Sequence, residues 1–392
     1  MRAIRKLDIV LILLILINVV NILFPKGQGF ELQYRWQDKI SYVLYAATIC
    51  LMLPSLLSSI NYFKCMKYMA CMIGLYALVA NATAVNYNQN VAIRTFMVAC
   101  SFVFFENELK NNTANILFCR LYALSLFVQY SHLIILENRF ATALYEEHTV
   151  GGQNLANSLI FILPLIFYLF RNRLSILIYL TGFVVVTLSL RRTAIITYFL
   201  CLPFIYKRIS LSFSKKQALF VIVTLCLMVY YIIDRYWSVI EMRFLNLYEA
   251  NNEGEYGSGR SGWLFLLLKN FFDSPEHWLQ GFGIGAVSQS MTNFGYPYGH
   301  AHNGYVEILY TYGIIGFFLW FYPFYKLIIY AKKKRVNAEF SPLLYLSSFS
   351  FLVVSTMSGT TFLPGLMAIA LCVNMILSKK EYNTSKISLS KS

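Results

Sequence analysis

Apolar runs follow one another along almost the whole chain, and polar residues collect in the gaps between them. The runs fall at 7–24, 40–60, 66–82, 91–105, 114–136, 154–170, 174–190, 193–206, 217–233, 305–330, 341–357 and 362–377. Stretches approaching 20 apolar residues predict membrane-crossing helices, and the shorter ones tilt or shift their ends to fit. The two-residue alternation of an outer-membrane barrel is absent. The pattern predicts an all-α, polytopic integral membrane protein with about twelve transmembrane helices. Two outer segments, 137–153 and 234–304, are long enough to have structure, and the second, the only one of soluble size, predicts a large extracytoplasmic loop carrying short interfacial helices. The expected organisation is transmembrane helices over 1–233, that loop over 234–304, three more transmembrane helices over 305–377, and a basic tail over 378–392.

Composition agrees with this solvent. Hydrophobic residues make up 58% of the 392 residues and charged ones 13%; soluble domains carry about 25% charge. The net charge of +15 is that of basic loops held on the cytoplasmic side, not of a nucleic-acid binder. With the N-terminus inside, 20 Lys and Arg fall in inner loops and 10 in outer ones. This bias places both termini in the cytoplasm and 234–304 outside. The basic start before the first run resembles a signal peptide, but Asn21-Ile22-Leu23-Phe24-Pro25 offers no small-residue cleavage site, so it reads as an uncleaved first span. None of the eight cysteines falls in an outer loop, and they form no disulfide framework or zinc spacing.

Candidate chemistry gathers on the outer side. Arg260 sits in Ser258-Gly259-Arg260-Ser261-Gly262, ahead of the short apolar run Trp263–Phe272. That run is too short to span and reads as a helix on the outer interface. The guanidinium either clamps phosphate oxygens or snorkels to lipid headgroups. Arg191 and Arg192 lie between two apolar runs, either anchoring a tight hairpin at the headgroups or meeting an anion. His300 and His302 precede the run at 305, with His302 nearer the helix it opens. An imidazole there is either structural or a base on a hydroxyl. Glu307, four residues after Asn303 and on the same helical face, calls for a partner such as an arginine. Gly281-Phe282-Gly283 reads as a flexible turn.

These pieces together resemble the bacterial O-antigen polymerase and O-antigen ligase superfamily of integral membrane glycosyltransferases. Its ligase branch shows His, then Asn, Ser or Gln, then nine residues and Gly-x-x-Gly. Here His302-Asn303, Gly304 to Tyr312, and Gly313-Ile314-Ile315-Gly316 fit without a gap. Gly259-Arg260 with Trp263, and Gly281-Phe282-Gly283, are similar to its loop elements. Arg192-Thr193-Ala194 matches a mid-chain element, with Leu190-Arg191 departing from the usual residues before it; Arg192 is the favoured counterpart and Arg191 the alternative. The explicit match covers about 187–316. The resemblance implies a glycan donor on undecaprenyl pyrophosphate, a glycan acceptor, surrounding membrane lipids, a chain-length regulator as a possible protein partner, no nucleic acid, and no metal or other cofactor. It implies His302 as general base, Arg192 and Arg260 on the pyrophosphate, and Arg191, Asn303, Glu307, His300, Trp263, Gly281 and Gly283 as substrate-binding residues. The expected activity is polymerisation of repeat units into O-antigen or capsular polysaccharide at the outer face of the bacterial cytoplasmic membrane. The alternatives are ligation of finished glycan to lipid A core, and a polysaccharide transporter or flippase. A transporter predicts mid-membrane ionisable residues and an inverted repeat; Asp8, Arg94 and Arg120 instead lie near span ends.

Overall fold

The computed structural model describes residues 5–23, 34–83, 89–137, 155–170, 172–189, 192–210, 260–294, 303–332, 338–357 and 363–389, with isolated positions between 223 and 234. Within these the chain is helical and has no strand. The α-helices are α1 (Lys6–Leu23), α2 (Tyr34–Met52), α3 (Lys64–Thr83), α4 (Gln89–Asn111), α5 (Ile116–Glu137), α6 (Leu155–Leu169), α7 (Asn172–Leu188), α8 (Arg192–Leu200), α9 (Leu202–Ser210), α10 (Arg260–Phe272), α11 (Ala286–Asn293), α12 (Gly304–Lys332), α13 (Ser341–Met357) and α14 (Leu363–Leu389). Pro203, Pro342 and Pro364 each stand second in their helix, where a missing N–H costs nothing.

Among the described residues, four helical stretches are long and apolar enough to cross a membrane: Lys6–Leu23, Lys39–Leu57, Ile116–Ile135 and Gly304–Lys332. Ala156–Leu169, Arg173–Thr187, Gly262–Phe272, Ser341–Thr356 and Gly365–Ser378 are apolar but shorter. The expected span at 193–206 is divided. Pro203 cannot donate into a continuous helix, so α8 ends at Leu200 and α9 begins two residues later. Most of the expected span at 217–233 lies outside the described residues. The last helix runs past 377 to Leu389, into the stretch read as a basic tail. Within 234–304, α10, a 3-10 turn at Pro275–His277 and α11 are present.

The bundle is built around α4, α6 and α14. From Gly365 to Leu377 every residue of α14 is buried, as is nearly all of α6, as expected of helices apolar all round. Gly365 lets these two approach; a Cβ there would lie 3.1 Å from Phe161 Cβ and 3.2 Å from the Ser158 carbonyl. Interhelical hydrogen bonds fasten the rest: Asn374 Nδ2 donates to the Phe102 carbonyl at 3.1 Å and Asn18 Nδ2 to Ser125 Oγ at 2.9 Å. Tyr179 and Tyr198 stack at 4.6 Å, and each hydroxyl donates to the other's carbonyl. Buried Glu106 in α4 accepts from the backbone N–H groups of Asn61, Tyr62 and Phe63 at 2.6, 2.8 and 3.1 Å. It thereby holds the chain entering α3, where amides lack helical partners. α12 and α13 pack as a pair on this bundle, and α10 and α11 pack on α12.

Candidate functional site

The site is built on the first half of α12. Asn303 is its cap: Oδ1 accepts from the N–H of Tyr305 at 3.0 Å and of Val306 at 3.1 Å, satisfying two of the free donors of a helix start. The other end of the amide is also engaged, since Nδ2 donates to the Thr356 carbonyl of α13 at 3.0 Å. Tyr305 donates to the Leu352 carbonyl at 3.0 Å, so the start of α12 is tied to the end of α13. α9 packs Phe204 against Tyr345 and Phe349 of α13. α8, one step earlier in the chain, packs on α13 too. Arg208, one turn further along α9, pairs with Glu339 just ahead of α13 at 3.0 Å, so α9 runs antiparallel to α13.

Ten residues after the cap, α12 breaks at Gly313, whose φ of 65° and ψ of −169° are not helical. In an unbroken helix the N–H groups of Ile314 and Ile315 would donate to Tyr310 and Thr311. Here they donate instead to the carbonyls of Trp278 at 2.8 Å and Leu279 at 3.2 Å. The released carbonyls of Tyr310 and Thr311 accept from the N–H groups of Phe282 and Gly283, both at 2.9 Å. Two helical bonds are exchanged for four between α12 and the 278–283 segment. Gly281 and Gly313 face each other in this crossing. A Cβ on Gly313 would lie 2.5 Å from the Leu279 carbonyl group, and one on Gly281 would lie 2.5 Å from Gly313 N and the Thr311 carbonyl group. Gly281 and Gly283, at φ 77° and 92°, occupy the left-handed region that glycine enters without penalty. A Cβ on Gly316 would collide with Tyr312. Tyr76 of α3 adds a hydrogen bond to the Gln280 carbonyl.

Tyr310 organises what stands above the crossing. Its hydroxyl meets Asn270 Nδ2 of α10 at 2.5 Å and Ser290 Oγ of α11 at 2.7 Å. Its ring stacks on Phe282 at 4.5 Å, and Phe282 stacks on His277 at 4.2 Å. Trp263, Leu267, Phe271, Val287 and Met291 complete a small core separate from the main one. His277 was passed over in the sequence. Its Nδ1 is 3.2 Å from the Gly281 carbonyl, which can only accept, so Nδ1 carries the proton in that bond. Nε2 then faces Glu276, 3.9 Å away. The only local signal was its place in a Ser-Pro-Glu-His turn.

Of the residues singled out above, Arg192 opens α8 and Arg260 opens α10, and Asn303 caps α12. All three stand where helix starts favour anions. Glu307 is buried, one turn into α12. Trp263 lies in the small core. Gly281 and Gly283 form the crossing, and both ends of the Asn303 amide are taken, so the structure gives these three scaffold roles. His300, His302 and Arg191 lie outside the described residues. Among the described residues no three His, Cys, Asp or Glu side chains come together as a metal site.

No protein-family model matches the chain, and a search of curated proteins finds no significant match.

Proposed function

We propose that this chain is a membrane glycosyltransferase that polymerises undecaprenyl-pyrophosphate-linked oligosaccharide repeat units into a surface polysaccharide. The reading places it in the bacterial cytoplasmic membrane with about twelve spans, of which the described residues hold four long apolar helices and four shorter ones besides the interfacial Gly262–Phe272. Both termini are cytoplasmic and the site faces outward. One observation carries it. Two elements of the family pattern that lie far apart in sequence, Gly281-x-Gly283 and Asn303-x9-Gly313-x-x-Gly316, are interlocked by backbone hydrogen bonds, while the arginines of the other two elements each open a helix.

In the mechanism, His302 takes the proton of an acceptor sugar hydroxyl. The hydroxyl oxygen bonds to the donor's anomeric carbon, the bond from that carbon to the pyrophosphate oxygen breaks, and the lipid pyrophosphate leaves with the electron pair. Displacement from the opposite face inverts the anomeric centre. Arg192 and Arg260 supply positive charge where the leaving group gains negative charge. Glu307 orients one of these cations or the base. Asn303, Gly281 and Gly313 hold the framework.

The test is deletion of the gene and complementation with His302→Ala or Arg260→Ala, reading the surface polysaccharide on a gel and the protein in the membrane fraction. Loss of long chains with normal membrane levels is expected, and wild-type banding from either variant overturns the mechanism. In the deletion strain, one repeat unit on the lipid core identifies a polymerase. Long chains left on the undecaprenyl carrier identify a ligase instead.

A further inference from the structure

The length of α12 does not match a bilayer. Its 29 residues at about 1.5 Å each come to about 44 Å, against about 30 Å of hydrocarbon. The excess of about 14 Å corresponds to about nine residues. Gly313, where the helix breaks, lies nine residues beyond Gly304. Exposure changes at the same point. No residue from Gly304 to Gly313 is exposed, whereas Ile314, Ile315, Phe318, Tyr322 and Tyr325 all are. The lipid-facing surface of α12 therefore begins at the break.

The segment that crosses there has its own apolar exposure. Phe265 and Phe272, seven residues apart on one face of α10, are 66% and 58% exposed. Trp278 stands edge-on to Phe272 at 6.5 Å and is anchored through Nε1 to the Phe271 carbonyl at 3.0 Å. Leu279, 63% exposed, is joined by its carbonyl to Ile315, the second lipid-facing residue of α12. Lys269 is exposed on the same face between the two phenylalanines, and a lysine so placed can lay its stem along apolar surface while its ammonium group reaches a phosphate. Bare backbone is tolerated at this depth only if its polar groups are paired, and the crossing pairs those of 278, 279, 282 and 283.

We propose that the outer hydrocarbon boundary runs through the Gly281–Gly313 crossing, and that Phe265, Phe272, Trp278 and Leu279 form a wedge seated in lipid there. The first nine residues of α12 and the small core around Tyr310 stand above the hydrocarbon. The occupant of this apolar face is the bilayer, because the face is continuous with the lipid-facing stripe of α12. The inference rests on the membrane residence of α12 and not on any transfer chemistry.

The test places a genetically encoded fluorescent amino acid at position 279, 315 or 322 of the full chain. The protein is reconstituted in phosphatidylcholine vesicles whose acyl chains carry bromine either near the glycerol or near the chain ends. A boundary at Gly313 puts Ile315 about 3 Å and Tyr322 about 14 Å below it. Quenching at 279 and 315 is then stronger with bromine near the glycerol, and at 322 stronger with bromine near the chain ends. Absence of quenching at 279 by either lipid overturns the wedge. Stronger quenching of 315 by the deep bromine overturns the boundary. Absence of quenching at 322 overturns the membrane residence of α12 itself. None of these readouts depends on polymer synthesis, so a failure here is distinct from a failure of the proposed reaction.

Discussion

Replacing Gly313 by alanine sets a local gain against the loss of the crossing. A continuous helix with alanine at 313 recovers two helical bonds and gains about 1 kcal/mol from replacing a mid-helix glycine. In the same direction, the backbone at φ 65° and ψ −169° lies in a region open essentially to glycine, where other residues cost about 1–3 kcal/mol. The new Cβ would also sit 2.5 Å from the Leu279 carbonyl group and 2.6 Å from Gln280 N. These are backbone atoms, so no rotamer change relieves the contact. The crossing opens, and four hydrogen bonds are lost for two regained, at about 1 kcal/mol each. Each buried peptide group that finds no new partner adds about 1–3 kcal/mol. The hydrogen-bond terms resist opening in wild type and variant alike; what the substitution adds is the strain in the crossing and the helical gain outside it, together about 3 kcal/mol against the crossing, or about a hundredfold in its opening equilibrium. Hydrogen exchange read by mass spectrometry on peptides covering 277–284 and 310–316 measures this directly. The glycines of the region form a graded series. Gly281→Ala meets the same wall from the other side and matches Gly313→Ala. Gly283→Ala has no atom within 4 Å of its Cβ and carries only the left-handed strain, about 1 kcal/mol. Gly262→Ala has neither burden and leaves exchange at the crossing unchanged. Since Gly281 and Gly313 serve one contact, the double variant costs little more than either single one. Wild-type exchange in Gly313→Ala, or full additivity in the double variant, would refute the interlock.

Two further outcomes follow from the packing. Asn303→Ala removes the cap and its tie to Thr356, lowering stability by about 1–2 kcal/mol, while Asn303→Asp keeps the capping oxygen and stays within a few tenths of wild type at the cap; thermal unfolding in detergent by intrinsic fluorescence separates the two, and equal melting of both variants would contradict the capping role. Glu106→Ala leaves three backbone donors ahead of α3 without their buried acceptor and costs about 3–5 kcal/mol, with charge-assisted bonds being worth about 1.5–3 kcal/mol each; Glu106→Gln retains an acceptor and falls between, and an Ala variant that melts with wild type would show that the carboxylate does not hold the turn.

The helical class and the four long apolar helices among the described residues were legible in the hydrophobic pattern, because an apolar surrounding leaves its mark on every face of a helix. The split of 193–206 was legible too: Pro203 stands inside the run, and hydropathy alone passes over a missing N–H. Asn303 carried a recognisable capping residue directly before an apolar run, yet its place beside His302 drew the reading toward ligand contact. Glu106 gave no sign, since the amides it holds lie more than 40 residues earlier and only the packing of α3 on α4 brings them together. The crossing was half visible. Spacing picked out Gly281, Gly313 and Gly316, but no local pattern says that a glycine in a loop must meet a glycine in a helix 32 positions later.

That contact changes what the nine-residue spacing between Asn303 and Gly313 means. Each residue of the first half of α12 adds about 1.5 Å and turns the face by about 100°. The cap therefore stands about 15 Å along the helix from the crossing, on a face fixed relative to Tyr310 and Glu307. Both ends of this ruler are fastened, the upper one to α13 through Thr356 and the lower one to 278–283 through four hydrogen bonds. A group attached next to Asn303 is thus set at a defined height by the two fastened ends of this helical segment. For a reaction in which a base must meet a hydroxyl within hydrogen-bond reach, while the leaving group belongs to a lipid, height above the membrane is the coordinate that decides whether the two can meet. The glycines contribute no chemistry to such a step; they fix that coordinate.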